Sequence, residues 1–271
     1  MRKGKLIIYW DYELQQGADT STLKYQDGIE DYHQTESILN QLKKHDLKTC
    51  FAVLGYAAEK GDLPYHAPQQ IQQMAEAGHE VGSHTQNHQR ISNLSYPQLL
   101  QELKQSKENI EKITRTKCTA FVPPWDKPQY FFSNGVDFKP GSFIPHFSKL
   151  NLNQICSALK TTGYLTYRVC PLTSRFTKFK LSKLFRKKNI TCIPSRMGNG
   201  FDIQAKRLVK KAILNRGLAV VYAHPRGLAH PGPQNKVYFE DFIRFTSKLV
   251  ADRKLEMILP QELTESPMSK F

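Results

Sequence analysis

The feature that most constrains this chain is an alternation. Short apolar runs rich in β-branched and aromatic residues are followed, again and again, by longer stretches with apolar residues at helical spacing. Leu6 to Trp10 reads as a strand, and a helix follows around Thr35 to His45. Thr49 to Leu54, a helix around Ala67 to Ala77, and Glu80 to His84 repeat the pattern. A helix from Tyr96 to Ile113, with Leu99, Leu100, Leu103, Ile110 and Ile113 near one face, leads to the strand-like Cys118 to Val122. After a stretch without clear periodicity, Gln129 to Asn151, come a helix near Leu152 to Thr162 and a strand at Tyr164 to Val169. Lys206 to Asn215 is an amphipathic helix that Gly217 would cap, followed by the strand Leu218 to Ala223, a helix over Tyr238 to Asp252 and a last strand at Glu256 to Leu259. Strands joined through helices pair in parallel, and no repeat of about 20 to 50 residues points to a solenoid. The expectation is an α/β chain of about seven parallel strands with outer helices, either a barrel or a doubly wound sheet. In both, functional side chains gather at the C-terminal strand ends.

Three predicted strand ends carry such side chains. The first reads Trp10-Asp11-Tyr12-Glu13, where extended geometry turns Asp11 and Glu13 to the same side. Acidic residues also simply end strands, so this pair alone says little. The second ends in His84-Thr85-Gln86-Asn87-His88, and histidines four apart on a helical turn face one way and can chelate a divalent ion. The third is Leu218 to Ala223 followed by His224-Pro225, an apolar strand that delivers an imidazole to the rim.

Composition sets the context. The 271 residues, 39% of them hydrophobic, suffice for a substantial core and exclude a disordered or fibrous chain. The five cysteines, Cys50, Cys118, Cys156, Cys170 and Cys192, are odd in number and form no C-x-x-C pair, which argues for buried thiols in a reducing compartment. The apolar run at the N-terminus is too short for a signal peptide, and no stretch approaches a membrane span. A cytoplasmic location follows as an expectation, with a peripheral position on the inner membrane face as its extension. Thirty-nine Lys and Arg against 24 acidic residues give a formal charge of +15, which favours anionic partners. No recognised nucleic-acid motif accompanies the charge, so no nucleic-acid partner is expected.

Taken in order, these segments resemble the polysaccharide deacetylase family, carbohydrate esterase family 4 or the NodB-homology domain. His84-Thr85-x-x-His88 is similar to its H-[ST]-x-x-H metal motif, Gly78-His79-Glu80-Val81-Gly82 to the lead-in, and Leu39 to Gly55 to the stretch linking the first two motifs. The resemblance runs from about Lys5 to Gln261. It implies one domain over 1–271, a distorted (β/α) barrel with an irregular insert at 126–151 and a basic insert at 171–197. It also implies a divalent metal held by Glu13, His84 and His88, with Asp11 as general base and His224 as general acid; the roles of Asp11 and Glu13 can also be exchanged. One carboxylate and two imidazoles suit Zn²⁺, and Co²⁺, Ni²⁺ or Mn²⁺ are alternatives. Phe121-Val122-Pro123-Pro124-Trp125 stands where the family has R-x-P-[YW], so Pro124 and Trp125 are expected to wall the substrate pocket. The motif's arginine is replaced by Val122, with Arg168, Arg226 or Lys127 as candidate substitutes. The aspartate that partners the acid histidine has no clear counterpart near Tyr164 to Val169.

The activity implied is hydrolysis of an N-acetyl or other small acyl group from an amino sugar, in surface glycan or glycolipid assembly. The basic insert contains Arg175 to Lys188, with seven basic residues, no acid and interleaved aromatics, a composition suited to an anionic membrane surface. A lipid-linked or nucleotide-linked substrate follows from it. The alternative is a catalytically inactive relative that binds glycan or membrane.

Overall fold

The computed structural model describes residues 3–20, 28–138, 144–172, 180–195 and 200–264. The chain runs β1 (Gly4–Tyr12), α1 (Leu14–Thr20), α2 (Ile29–Lys44), β2 (Cys50–Val53), α3 (Pro68–Glu76), β3 (Glu80–Ser83), α4 (Tyr96–Thr114) and β4 (Ala120–Phe121). Three short strands follow, β5 (Gln129–Phe131), β6 (Asn134–Phe138) and β7 (Pro145–Phe147). The rest comprises α5 (Leu152–Thr161), β8 (Thr166–Pro171), β9 (Phe185–Lys187), β10 (Ile190–Pro194), α6 (Ile203–Asn215), β11 (Leu218–Ala223), α7 (Lys236–Ala251) and β12 (Leu255–Met257).

Seven strands pair in parallel in the order β11-β1-β2-β3-β4-β8-β10, and β12 joins β1 in parallel at its first residues. The alternation in the sequence is therefore a βα frame. Continuous strand pairing does not close it. At the seam between β10 and β11, β9 runs antiparallel to β10, and Ser182 just before it makes an isolated bridge to Leu218.

Side-chain alternation divides the interior into two compartments. Leu6, Ile8, Trp10 and Tyr12 of β1 pack outward with helix residues such as Ile38, Leu42, Leu103 and Phe239. Ile7 and Tyr9 point inward with Cys50, Ala52, Ala120, Val122, Ile193 and Val220. Asp11 and Glu13 continue the inward row, so a period of two that buries apolar residues lower down delivers carboxylates at the top. Each buried large side chain contributes about 1.5–3 kcal/mol, which lets the apolar rows support a polar cap. At Gly82 an added Cβ would lie 2.9 Å from that of Ala120, so β3 and β4 approach closely only with glycine there.

Several expectations change. His84 to His88 is an irregular loop, with Thr85 at φ 70° and His88 at φ 56°, so the two imidazoles converge through left-handed turns and not along a helix. The left-handed residue that ends α6 is Arg216, at φ 52°, and a Cβ on Gly217 would press on the tip of the Leu181 side chain at 2.8 Å. The region read as irregular contains β5, β6 and β7, an antiparallel sheet docked on β8. Within the basic insert, Leu181 and Phe185 pack on the outer core, Leu184 packs on the inner one, and Lys187 Nζ lies 3.4 Å from Ser133 Oγ. Arg175, Phe176, Lys178 and Phe179 of the same insert lie outside the described residues. The five cysteines are free and buried. No described helix is long and apolar enough to cross a membrane.

Candidate metal centre and active site

Three loops at the C-terminal strand ends build the site. Beyond β1 the chain turns sharply at Leu14, φ 51°, and the backbone N–H groups of Glu13 and Leu14 donate to Asp31 Oδ2 at 3.2 and 3.0 Å. That turn leaves Glu13 buried at the pocket floor. α1 passes so close that a Cβ on Gly17 would come within 2.7 Å of Glu13 Oε2.

The loop after β3 is buttressed from outside. Gly55 and Tyr56 donate backbone N–H groups to the carbonyls of Thr85 and Gln86 at 2.9 and 3.0 Å. Glu102 of α4 accepts from the backbone N–H of Gln86 and Asn87, both at 3.0 Å, and from the Asn87 side chain at 2.9 Å. His84 and His88 are thereby held with both rings turned the same way.

Their partners assign the tautomers. His84 Nδ1 lies 3.0 Å from the Val122 carbonyl, which can only accept, so Nδ1 carries the proton and Nε2 presents its lone pair. His88 Nδ1 lies 2.6 Å from Thr20 Oγ1, whose own proton goes to the carbonyl of Gly17 or Gln16, giving the same result. Both Nε2 atoms stand 3.2 Å from Glu13 Oε1. Lone pairs and a carboxylate oxygen at that separation repel unless a cation sits among them. The ligating atoms of Glu13, His84 and His88 all lie within 4.8 Å of one another, and His88 Nε2 is buried with no hydrogen-bond partner. Burial holds His88 below the usual imidazole range, which favours the neutral form that binds metal. This donor set fits a divalent cation.

Glu13 uses its other oxygen differently. Arg226, in the loop after β11, clasps Oε2, while His224 Nε2 stands 3.3 Å from Oε1. Burial would raise the Glu13 carboxyl, but Arg226, His88 and His224 hold it well below the usual carboxylate range. His224, half-buried, is pushed down by burial and raised further by Glu13, for a net upward shift.

Asp11 meets the arginine that the third motif lacks, from a different strand. Arg168 of β8 donates Nη1 and Nη2 to the two carboxylate oxygens at 2.7 and 2.6 Å, a fork-to-fork pair. Its Nη2 also lies 3.1 Å from Asp126, and the guanidinium sits 4.5 Å from the Tyr222 ring centre and 5.4 Å from that of Tyr9. Burial would raise Asp11, yet Arg168 and His84 keep it lowered and ionised. Of the other two candidates, Arg226 serves Glu13 and Lys127 lies 3.7 Å from Asp137.

Pro124 is buried, and half-buried Trp125 lies against the site with its ring centre 4.2 Å from that of His88. Arg90 stacks over Trp125 at 4.7 Å and is fixed by Asp137, whose two oxygens lie 3.0 Å from Nη1. Asp11, Glu13, His84, His88, His224 and Trp125, all expected at the site from the sequence, thus stand together at the strand ends, and Pro124 is buried next to Trp125 in the chain. Asp31, Asp126 and Glu102 were not expected there. Only Asp126, directly after Pro-Pro-Trp, stood near a motif that could have flagged it.

Comparison with known proteins places the segment that carries His84, His88 and Trp125 among deacetylases. Residues 14–128 match the family model described as polysaccharide deacetylase. A peptidoglycan-N-acetylmuramic acid deacetylase of Bacillus subtilis is 31% identical over 91 residues, 34% of this chain and 18% of its own. A peptidoglycan-N-acetylglucosamine deacetylase of Bacillus cereus is 27% identical over 108 residues, 40% of this chain and 35% of its own. The chain therefore matches little more than a third, at most, of those two relatives' lengths. A structure assigned to polysaccharide deacetylases, from Mycobacterium smegmatis, superposes with a TM-score of 0.69 at 13% identity, covering 98% of this chain and 90% of that one. Residues 14–128 are thus similar to the polysaccharide deacetylase family, and the chain as a whole shares the fold of the Mycobacterium smegmatis structure.

Proposed function

We propose that this chain is a metal-dependent hydrolase that removes an N-acetyl or similar small acyl group from an amino sugar. The observation that carries the proposal is the meeting of Glu13 Oε1 with the Nε2 atoms of His84, His88 and His224 at 3.2–3.3 Å, at the end of the strand that also bears the Arg168-held Asp11. Glu13, His84 and His88 would hold the ion, with Zn²⁺ the best match to one carboxylate and two imidazoles. When bound, a divalent cation polarises an acyl oxygen and acidifies water. Asp11, kept ionised and oriented by Arg168, takes the proton of the attacking water. His224, at the rim and partly open to solvent, gives a proton to the departing nitrogen. Trp125 and Pro124 exclude water from one side and present an apolar wall to the sugar. The names of the relatives support an acetylated amino sugar as the substrate class. Glycolipid assembly at the cytoplasmic face belongs to the same proposal, supported by the basic composition.

An inactive, binding-only protein is disfavoured by the Asp11–Arg168 pair, because an orienting arginine is present after all. The deciding experiment measures metal content and acetate release from N-acetylated amino-sugar oligomers. One equivalent of metal, with release abolished by a chelator and restored by Zn²⁺, is expected. Full metal loading without acyl release from any such substrate would favour the inactive alternative.

A further inference from the structure

The two oxygens of Glu13 have different partners. Oε1 faces the three imidazoles, whereas Oε2 is taken by Arg226 Nη2. Arg226 has little freedom of its own: Nη1 lies 2.8 Å from Asp31 Oδ2, and its backbone N–H donates to Asp31 Oδ1, also at 2.8 Å. Asp31 is fully buried and also accepts from the backbone N–H groups of Glu13 and Leu14. A ring results. The carboxylate that anchors the arginine also anchors the backbone of the residue that the arginine grips. Such a closed, buried set of charge-assisted hydrogen bonds leaves the Glu13 side chain one orientation.

We propose that Arg226 and Asp31 are positioning residues that restrict Glu13 to metal ligation through Oε1 alone, a proposal that rests on Glu13, His84 and His88 being the metal ligands. Two chemical consequences follow. With Oε2 engaged, the carboxylate cannot swing to offer both oxygens, so a coordination position stays free for substrate. A carboxylate that shares its charge with a guanidinium also donates less to the cation, which remains a stronger Lewis acid.

The test uses Co²⁺, whose visible absorption weakens as its coordination number rises, on the full chain and on Arg226→Met, Arg226→Lys, Asp31→Asn and the double variant Arg226→Met/Asp31→Asn. The double variant removes both charges together and so avoids stranding Asp31 uncompensated in the interior. The wild type is expected to take up one Co²⁺ per chain with strong bands. Loss of Arg226, singly or in the double variant, should cut the band intensity about twofold or more and weaken Co²⁺ binding by calorimetry about 10-fold. Arg226→Lys, which keeps a cation within reach of Oε2, should recover much of the wild-type spectrum, and Asp31→Asn should fall between. A double variant that folds, by circular dichroism, and matches the wild type in spectrum and affinity would overturn the proposal while leaving the metal site intact. A wild-type chain that binds no Co²⁺ would overturn both.

Discussion

Two glutamates lie in the same barrel interior at opposite ends and behave in opposite ways. Glu13, at the C-terminal end of β1, and Glu80, at the start of β3, are buried alike, at 3% and 4% exposure. Glu13 has Arg226 and the site histidines beside it and is held well below the usual carboxylate range. Glu80 has two neutral donors, the Thr119 hydroxyl at 3.2 Å and the Gln261 backbone N–H at 3.0 Å, and burial pushes its pKa up to about 7. Burial is common to both; the presence of a cation differs. At the active end a buried arginine stands beside each of the two lowered carboxyls, Arg168 beside Asp11 and Arg226 beside Glu13, whereas Asp31, which shares Arg226 with Glu13, is pushed up by burial and by the Glu13 charge. The opposite end offers only neutral hydrogen bonds, which suit a carboxyl group that can hold its proton.

The contrast can be broken at the active end first. Asp11→Asn should lower turnover about 10²- to 10⁴-fold with metal content unchanged, because proton transfer is lost and the ligand set is not; near-normal turnover would remove Asp11 from the base role. Arg168→Met should destabilise the chain by about 3–5 kcal/mol in urea unfolding, since it leaves two buried carboxylates without their cation. A loss under about 1 kcal/mol would mean that water already screens the pair.

The other end should respond with the opposite sign. An unfolded glutamate titrates near 4.5 and folded Glu80 near 7, so between these values the folded chain holds the extra proton. Stability then falls as pH rises through that window and stays lower above it, by about 3 kcal/mol. Glu80→Gln should therefore raise the Tm at pH 8 and leave it nearly unchanged at pH 4, and an unaltered stability profile would refute the buried-acid assignment. The smallest effect is expected at the buttress of the histidine loop: Glu102→Ala should weaken Zn²⁺ binding about 10-fold in a competition titration, because it frees the backbone N–H groups of Gln86 and Asn87.

The parallel frame was legible because each strand and helix carries its own periodicity, and the ligands because they stand at strand ends beside recognisable motifs. What escaped was contact over long separations. Arg168 and Asp11 are 157 positions apart, and Arg226 and Asp31 are 195 apart, so local patterns could name the arginines but not pair them. The convergence of His84 and His88 was foreseen but its backbone was not, because two left-handed residues bring the rings together where a helical turn was expected. β9 and β10 were missed for a different reason. β9 lies inside the basic run that ends at Lys188, and the short apolar β10 follows two residues later, so the charge of the run masked both.

The contact of Trp125 with His88 gives the site an optical handle. The chain has two tryptophans, and the other, Trp10, is sealed among Phe51, Phe201 and Phe239 in the outer core. Indole emission is sensitive to the electronic state of a ring lying against it, and the Trp125 and His88 centres are 4.2 Å apart. Occupation of the pocket therefore registers on one fluorophore while its twin serves as an internal reference, so the bare, unlabelled chain can report its own loading.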